Sequence, residues 1–188
     1  MIRRGEEMDS VFDGLYQKYH QDLYRFLFYM VKNKELAEDL VQEVYIRVLK
    51  AYDRFEGNSS EKTWLFSIAK NVAIDHFRKQ KGWKRWLVEK MDFSTTQISD
   101  DVPLPEEVAQ QREEIKLIYQ CLDECTVDQK MVVILRYIHE LSISETAEAL
   151  TWTESKVKTT QHRAIKTLRK KMEDLDKEVM PSGKIEIK

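Results

Sequence analysis

Between Ser142 and Lys171 the chain reads SISETAEALTWTESKVKTTQHRAIKTLRKK, two amphipathic helical patterns separated by a short turn. Each pattern has its own start signal. Ser142-Ile143-Ser144-Glu145 is a capping box, in which the serine oxygen and the glutamate carboxylate satisfy backbone donors left open where a helix begins. Thr153 caps the second helix. Ile143, Ala147 and Leu150 form one apolar stripe, and Val157, Ala164, Ile165, Leu168 and Met172 form another. Together they define a helix-turn-helix. Opposite the second stripe stand Ser155, Lys156, Thr159, His162, Arg163, Lys166 and Lys170. Hydroxyls, lysines and arginines bond phosphates and base edges, and a helix start adds positive potential beside a phosphate. The face is expected in a DNA major groove, with a merely solvated basic face as the alternative.

Charge is sorted by segment. A formal net charge of -2 excludes a uniformly basic nucleic-acid coat. Residues 70–90 carry seven Lys or Arg against Asp75 and Glu89, and residues 154–171 carry seven against Glu154. Residues 92–114, between them, carry seven acids against Arg112. Two basic modules around an acidic stretch suit a chain that meets a phosphate backbone twice. Only 5 Gly and 3 Pro in 188 residues, with 42% hydrophobic residues, give an all-α chain of one or two helical domains.

The N-terminal half divides into three helices. Tyr16, Tyr19, Leu23, Phe26, Leu27 and Met30 mark the first, ending near Lys32-Asn33-Lys34. Leu36, Leu40, Val44 and Val48 mark the second and leave Glu38, Asp39, Gln42, Glu43 and Arg47 to its outer face. After a loop through Gly57 and Asn58, the third begins near Glu61 with Ser60 as its cap and holds Leu65, Ile68 and Val72. Its continuation interleaves Trp64, Phe66, His76, Phe77, Trp83 and Trp86 with Lys70, Arg78, Lys79, Lys81, Lys84 and Arg85. Aromatic faces stack on unpaired bases while cations follow the backbone, so the mixture suits single-stranded nucleic acid. Trp64, Phe66 and Phe77 fit a core better.

Ser94 to Pro105 lacks helical periodicity and reads as a linker, so two small helical domains are expected. Val108 to Leu122 and Thr126 to Tyr137 then read as helices, the latter opened by the capping box Thr126-Val127-Asp128-Gln129. Met8 would open the folded part as well as Met1 does, and residues 173–188 read as a charged, poorly ordered tail. Cys121 and Cys125 lie four apart on a helix with no disulfide framework, and His20, His76, His139 and His162 are scattered. Reduced cysteines and no metal or other cofactor are expected. No apolar run approaches the roughly 20 residues of a membrane span, nor does the N-terminus carry a signal-peptide core. A cytoplasmic protein without direct membrane insertion follows. There is also no phosphate loop or nucleophile motif, so no catalytic residue is expected.

The order DLVQEVYIRVLKAYDRFEG, then KTWLFSIAKNVAIDHFRK, an acidic linker, and LSISETAEALTWTESKVKTTQHRAIKTLRKKM resembles an extracytoplasmic-function (ECF) sigma factor of bacterial RNA polymerase over nearly the whole chain. The resemblance implies sigma region 2 at 10–86, which holds core polymerase and reads the promoter -10 element. A flexible linker at 87–107, sigma region 4 at 108–173 as reader of the -35 element, and a tail at 174–188 complete it. It assigns Asp39, Gln42 and Glu43 of D-L-x-Q-E to the coiled-coil clamp of the largest polymerase subunits. For the -10 element it implies a single strand with a base flipped beside the loop Glu56, Gly57, Asn58, Ser59, Ser60 and Glu61. By the same resemblance Asn71 of I-A-x-N is expected to contact a base of that site, with Asp75 and Arg78 of D-x-x-R nearby. Base extraction is costly and is repaid only by contacts in a pocket. The -35 contacts fall to Ser155, Lys156, Thr159, His162, Arg163 and Lys166.

One departure stands out: many relatives carry glycine in the turn and T-V-K-S-R before H-R-A. Here the turn is Thr151-Trp152-Thr153, and Thr160 and Gln161 stand near the missing arginine. The implied partners are core RNA polymerase, promoter DNA and an anti-sigma protein. The alternatives are a polymerase-independent helix-turn-helix regulator, which leaves D-L-x-Q-E unexplained, and a helical adaptor that binds only proteins.

Overall fold

The computed structural model describes residues 2–90, 108, 110 and 112–179, with side chains for 11–81, 108, 110, 112, 113 and 115–174. Seven α-helices and no strand occur among the described residues. A first bundle comprises α1 (Ile2–Val31), α2 (Lys34–Ala51) and α3 (Glu61–Lys90); a second comprises α4 (Glu113–Cys121), α5 (Val127–Val133), α6 (Ile143–Leu150) and α7 (Glu154–Val179).

The first bundle is set by its connections. Lys32 takes a left-handed φ of 53° and returns its N–H to Phe28 O at 2.7 Å. Asn33 then accepts from Leu36 N at 2.8 Å and starts α2, so α1 and α2 fold back as a helical hairpin. A 3-10 turn at Tyr52–Arg54 and Gly57, with φ 70°, lead to Ser60, whose Oγ accepts from Thr63 N at 3.1 Å. Leu23, Phe26, Leu27, Val44, Leu65 and Phe66 are all but fully buried where the three helices meet. Each such side chain contributes about 1.5–3 kcal/mol by leaving water.

Both capping boxes of the second bundle form as the sequence implies, at Thr126–Gln129 and at Ser142–Glu145. Between them α5 loosens into a π-turn at Ile134–Ile138, where His139 N bonds Ile134 O at 3.0 Å. That turn redirects the chain into α6. Thr151 closes α6 at φ 56°, and Thr153 Oγ1 accepts from Lys156 N at 3.2 Å to start α7.

Four boundaries differ from expectation. α1 begins at Ile2, ahead of the domain start expected at 10. The helix expected over 108–122 is α4, Glu113–Cys121, because Arg112 is extended at ψ 151°. α3 continues to Lys90, past the boundary at 86, and α7 continues to Val179, so residues 174–179 of the expected tail are helical. Most of the linker, 91–107, lies outside the described residues, as do 180–188.

The two bundles pack against each other. The Phe28 and Tyr119 rings stack at 5.9 Å, and Lys32 Nζ lies 4.4 Å from the Tyr119 centroid and 2.6 Å from Asp123. His139 is buried between Phe66 at 4.8 Å and Phe26 at 6.4 Å. Lys70, grouped in sequence with the cations that follow a nucleic-acid backbone, is 6% exposed. Its ammonium donates to Leu150 O at 3.2 Å and to Thr151 Oγ1 at 3.1 Å, capping the C-terminus of α6. Lysine is drawn there because a helix end leaves carbonyls open and carries partial negative charge.

Candidate functional site

On α2 the buried stripe of Leu40, Val41, Val44 and Val48 turns the opposite face outward, where Asp39 and Gln42 are exposed and Glu43 is half-buried. The same face carries Ile46 and Leu49, each 46% exposed. Sequence reasoning passed over both. Their signal was available, since they follow Gln42 and Glu43 at one- and two-turn spacing on a face that a solvated helix would fill with polar residues. Beside it a groove of about 490 Å³ runs between α1 and α2, lined by Tyr16, His20, Glu38, Gln42 and Tyr45 among others.

α3 positions the second group. The loop before it is ordered by its own polar contacts: Asn58 Nδ2 donates to Glu56 Oε2 at 3.0 Å, and Ser60 caps the helix. Glu61 is turned back to α1, accepting from Tyr19 Oη at 3.0 Å and Lys18 Nζ at 3.2 Å. Asn71 is exposed on the same helix, about 15 Å further along at 1.5 Å per residue. One turn on, Asp75 Oδ1 accepts from Arg78 Nη2 at 2.7 Å and Oδ2 from Arg47 Nη1 at 3.0 Å. The loop and Asn71 thus stand about three helical turns apart along α3. Phe66 is core at 1% exposure, and Trp64 and Phe77 pack against it. The side chains of Trp83 and Trp86 lie outside those described.

In the second bundle, Ser155, Lys156, Thr159 and Arg163 converge with Thr126 and Thr153 on a concave surface of about 520 Å³ between the starts of α5 and α7. His162 and Lys166 are exposed but do not line it. Lys156 Nζ sits 3.6 Å over the Trp152 ring and 3.7 Å from Asp128, which orients a long cation at the mouth. Gln161 is withdrawn: its amide donates to Tyr137 Oη at 2.8 Å and its oxygen accepts from Arg136 at 3.4 Å. Polar hydroxyls, two cations and a capped helix start give a surface suited to phosphate and base edges.

Among the described residues no cluster of three His, Cys, Asp or Glu suits a metal ion, and no helix is long and apolar enough to cross a membrane. Cys121 and Cys125 are free and buried, and burial pushes the Cys125 thiol up to about 11. Neither is poised as a thiolate nucleophile.

Two packed helical bundles, one ending in a helix-turn-helix with a polar concave face, define a helical DNA-binding protein. Residues 15–82 match the family Sigma-70 region 2, and residues 115–168 match Sigma-70, region 4. The chain is 57% identical over 173 residues to the ECF RNA polymerase sigma factor SigX of Bacillus subtilis, covering 92% of this chain and 89% of that one. To SigW of the same organism it is 32% identical over 180 residues, with 93% and 94% covered. The chain belongs to the ECF sigma factors of the sigma-70 family, proteins that direct RNA polymerase to promoters. Its fold is shared with the sigma factor RpoE of Bartonella quintana, solved with the anti-sigma factor NepR, at TM-score 0.63 and 19% identity over 86% of this chain and 96% of that one. CnrH, solved with the cytosolic domain of CnrY, gives 0.64 at 17% over 88% and 90%.

Proposed function

We propose that three surfaces divide the work of this sigma factor. The outer face of α2, with Asp39, Gln42 and Glu43 joined by Ile46 and Leu49, holds the clamp of core polymerase. A single strand of the -10 element runs along α3 from the loop 56–61 to Asn71 and Arg78, with Asp75 nearby as the carboxylate that holds Arg78. The concave face of α7 takes the -35 duplex through Ser155, Lys156, Thr159 and Arg163, with His162 and Lys166 on its flank meeting phosphates. Sigma region 2 extends through α3 to Lys90, past the expected boundary at 86, and sigma region 4 runs from 108 through α7 to Val179, which leaves 91–107 as the linker and 180–188 as the tail.

The observation that carries this reading is the convergence of hydroxyls and cations at the capped start of α7. The exposed apolar pair on α2 supports a protein partner there, which a polymerase-independent regulator leaves without use. We assign no bond-making chemistry to the chain and place it in the cytoplasm, where its polymerase is. Because a structural neighbour, RpoE of Bartonella quintana, was solved with an anti-sigma factor, an anti-sigma protein is proposed as a second partner.

Run-off transcription with core polymerase on fragmented genomic DNA, with 5′ ends sequenced, tests the reading. Discrete starts that depend on this protein and share -10 and -35 elements are expected. Duplex binding without any such starts would return the polymerase-independent regulator.

A further inference from the structure

We propose that Arg47 is a positioning residue that joins the polymerase-facing surface of α2 to the -10 surface of α3, by governing whether Arg78 is free to meet DNA. This rests on the reading of those two surfaces given above. Four side chains of alternating charge run from one surface to the other. Arg47 Nε donates to Glu43 Oε1 at 2.9 Å and Nη1 to Asp75 Oδ2 at 3.0 Å, while Arg78 Nη2 holds the other oxygen of Asp75 at 2.7 Å. Arg78 is the outermost, with 78% of its side chain exposed against 33% for Arg47 and 30% for Asp75.

The chemistry of the chain gives it a direction. A carboxylate beside a phosphate backbone repels it, so Asp75 acts on DNA through the arginine it holds rather than by touching the strand. Arg47 divides its donors between two carboxylates, which a guanidinium does and a lysine ammonium, a point charge, does poorly. When a cation of the polymerase takes Glu43, Arg47 keeps one acceptor and turns its charge on Asp75. Asp75, better neutralised, grips Arg78 less, and Arg78 is released towards a phosphate. Polymerase binding thereby favours the -10 contact without any movement of the backbone. Partly exposed ion pairs bias such equilibria by modest factors, so changes of about three- to tenfold are expected rather than abolition.

The test uses holoenzyme on a promoter found by run-off transcription, with core polymerase titrated for affinity and then saturating. Opening is read as permanganate reactivity of the -10 thymines. Arg47→Met should bind core at least as tightly as the parent, since Glu43 is freed, yet open promoters about three- to tenfold less, since Asp75 now holds Arg78 alone. Adding Asp75→Asn should restore opening to within about twofold of the parent, and Arg47→Lys should fall between. Opening by Arg47→Met equal to the parent overturns the proposal. So does a joint loss of core affinity and opening that Asp75→Asn does not relieve, which marks Arg47 as merely structural. Arg78→Ala separates the failures: if it opens promoters as the parent does, the reading of the -10 surface itself is wrong, and Arg47 has nothing to position.

Discussion

His139 lies at the seam of the two bundles with 2% of its side chain exposed, its Nε2 without a hydrogen-bond partner and its Nδ1 3.8 Å from Asp22. Burial, reinforced by the positive charges of Lys62 and Arg25, pushes its pKa down to about 3. The imidazole is therefore neutral at physiological pH and makes no ion pair with Asp22. The unfolded chain takes up a proton near pH 6.5 and the folded chain only near 3, so the stability is complete above 6.5 and is lost as pH falls below it. The slope from this one residue is about 1.4 kcal/mol per pH unit. Urea unfolding at pH 7, 6 and 5 should show this loss in the parent, and His139→Gln should flatten the difference between pH values whatever its own stability. Equal slopes would rule the effect out. The sequence showed His139 as one of four scattered histidines; only the approach of Phe26 and Phe66 from the other bundle buries it.

Single helices carry the next set of expectations. Ser142 and Thr153 each accept one backbone N–H at a helix start, at 3.1 Å from Glu145 and 3.2 Å from Lys156. Replacing either by alanine should cost about 1 kcal/mol, lowering the melting temperature by roughly 2–4 °C. The two differ in function: Thr153→Ala loosens the turn that bears Ser155 and Lys156 and should weaken binding of a -35 duplex, whereas Ser142→Ala should not. Thermal melting paired with fluorescence anisotropy separates them. On α2, Asp39→Ala with Glu43→Ala should reduce core polymerase affinity at least tenfold, with helicity by circular dichroism unchanged; undiminished capture in a pull-down would remove the clamp assignment. These elements were legible in sequence because caps and 3.6-residue stripes are local. The apolar contribution of Ile46 and Leu49 was less so, since an amphipathic stripe locates the buried face but does not say what covers the other.

At the scale of the molecule, the packing of the two bundles limits how DNA is read. Lys70, next to Asn71, is bonded to Thr151, two residues before the cap of α7. The two proposed readers therefore begin on the order of 20 Å apart, summing one side chain and a few residues of backbone. Elements at -10 and -35 are separated by about 25 base pairs, or about 85 Å along B-form DNA. A complex engaging both on a straight duplex requires the Lys70–Thr151 contact to break. Donor and acceptor dyes on Ile74→Cys and Glu148→Cys, one turn from the contact on each side, should show high energy transfer in the free protein. That transfer should be lost in the holoenzyme–promoter complex. Unchanged transfer with both elements protected from nuclease would refute the separation.

Sequence alone determined the all-helical class, where α2, α3, α6 and α7 begin, the caps of α3, α6 and α7, and the residues on their outer faces. Each of these depends on spacing within one helix or on a side chain bonding its own backbone a turn away. Tertiary structure decided what lies between elements: Lys70 as a buried cap on α6 rather than a phosphate contact, Tyr137 and Arg136 as the partners of Gln161, and Asp75 as the second carboxylate on Arg47. Those roles belong to pairs 24 to 80 residues apart. No local rule reaches that far, because the partner of a long charged side chain is chosen by which helices the shared core brings together.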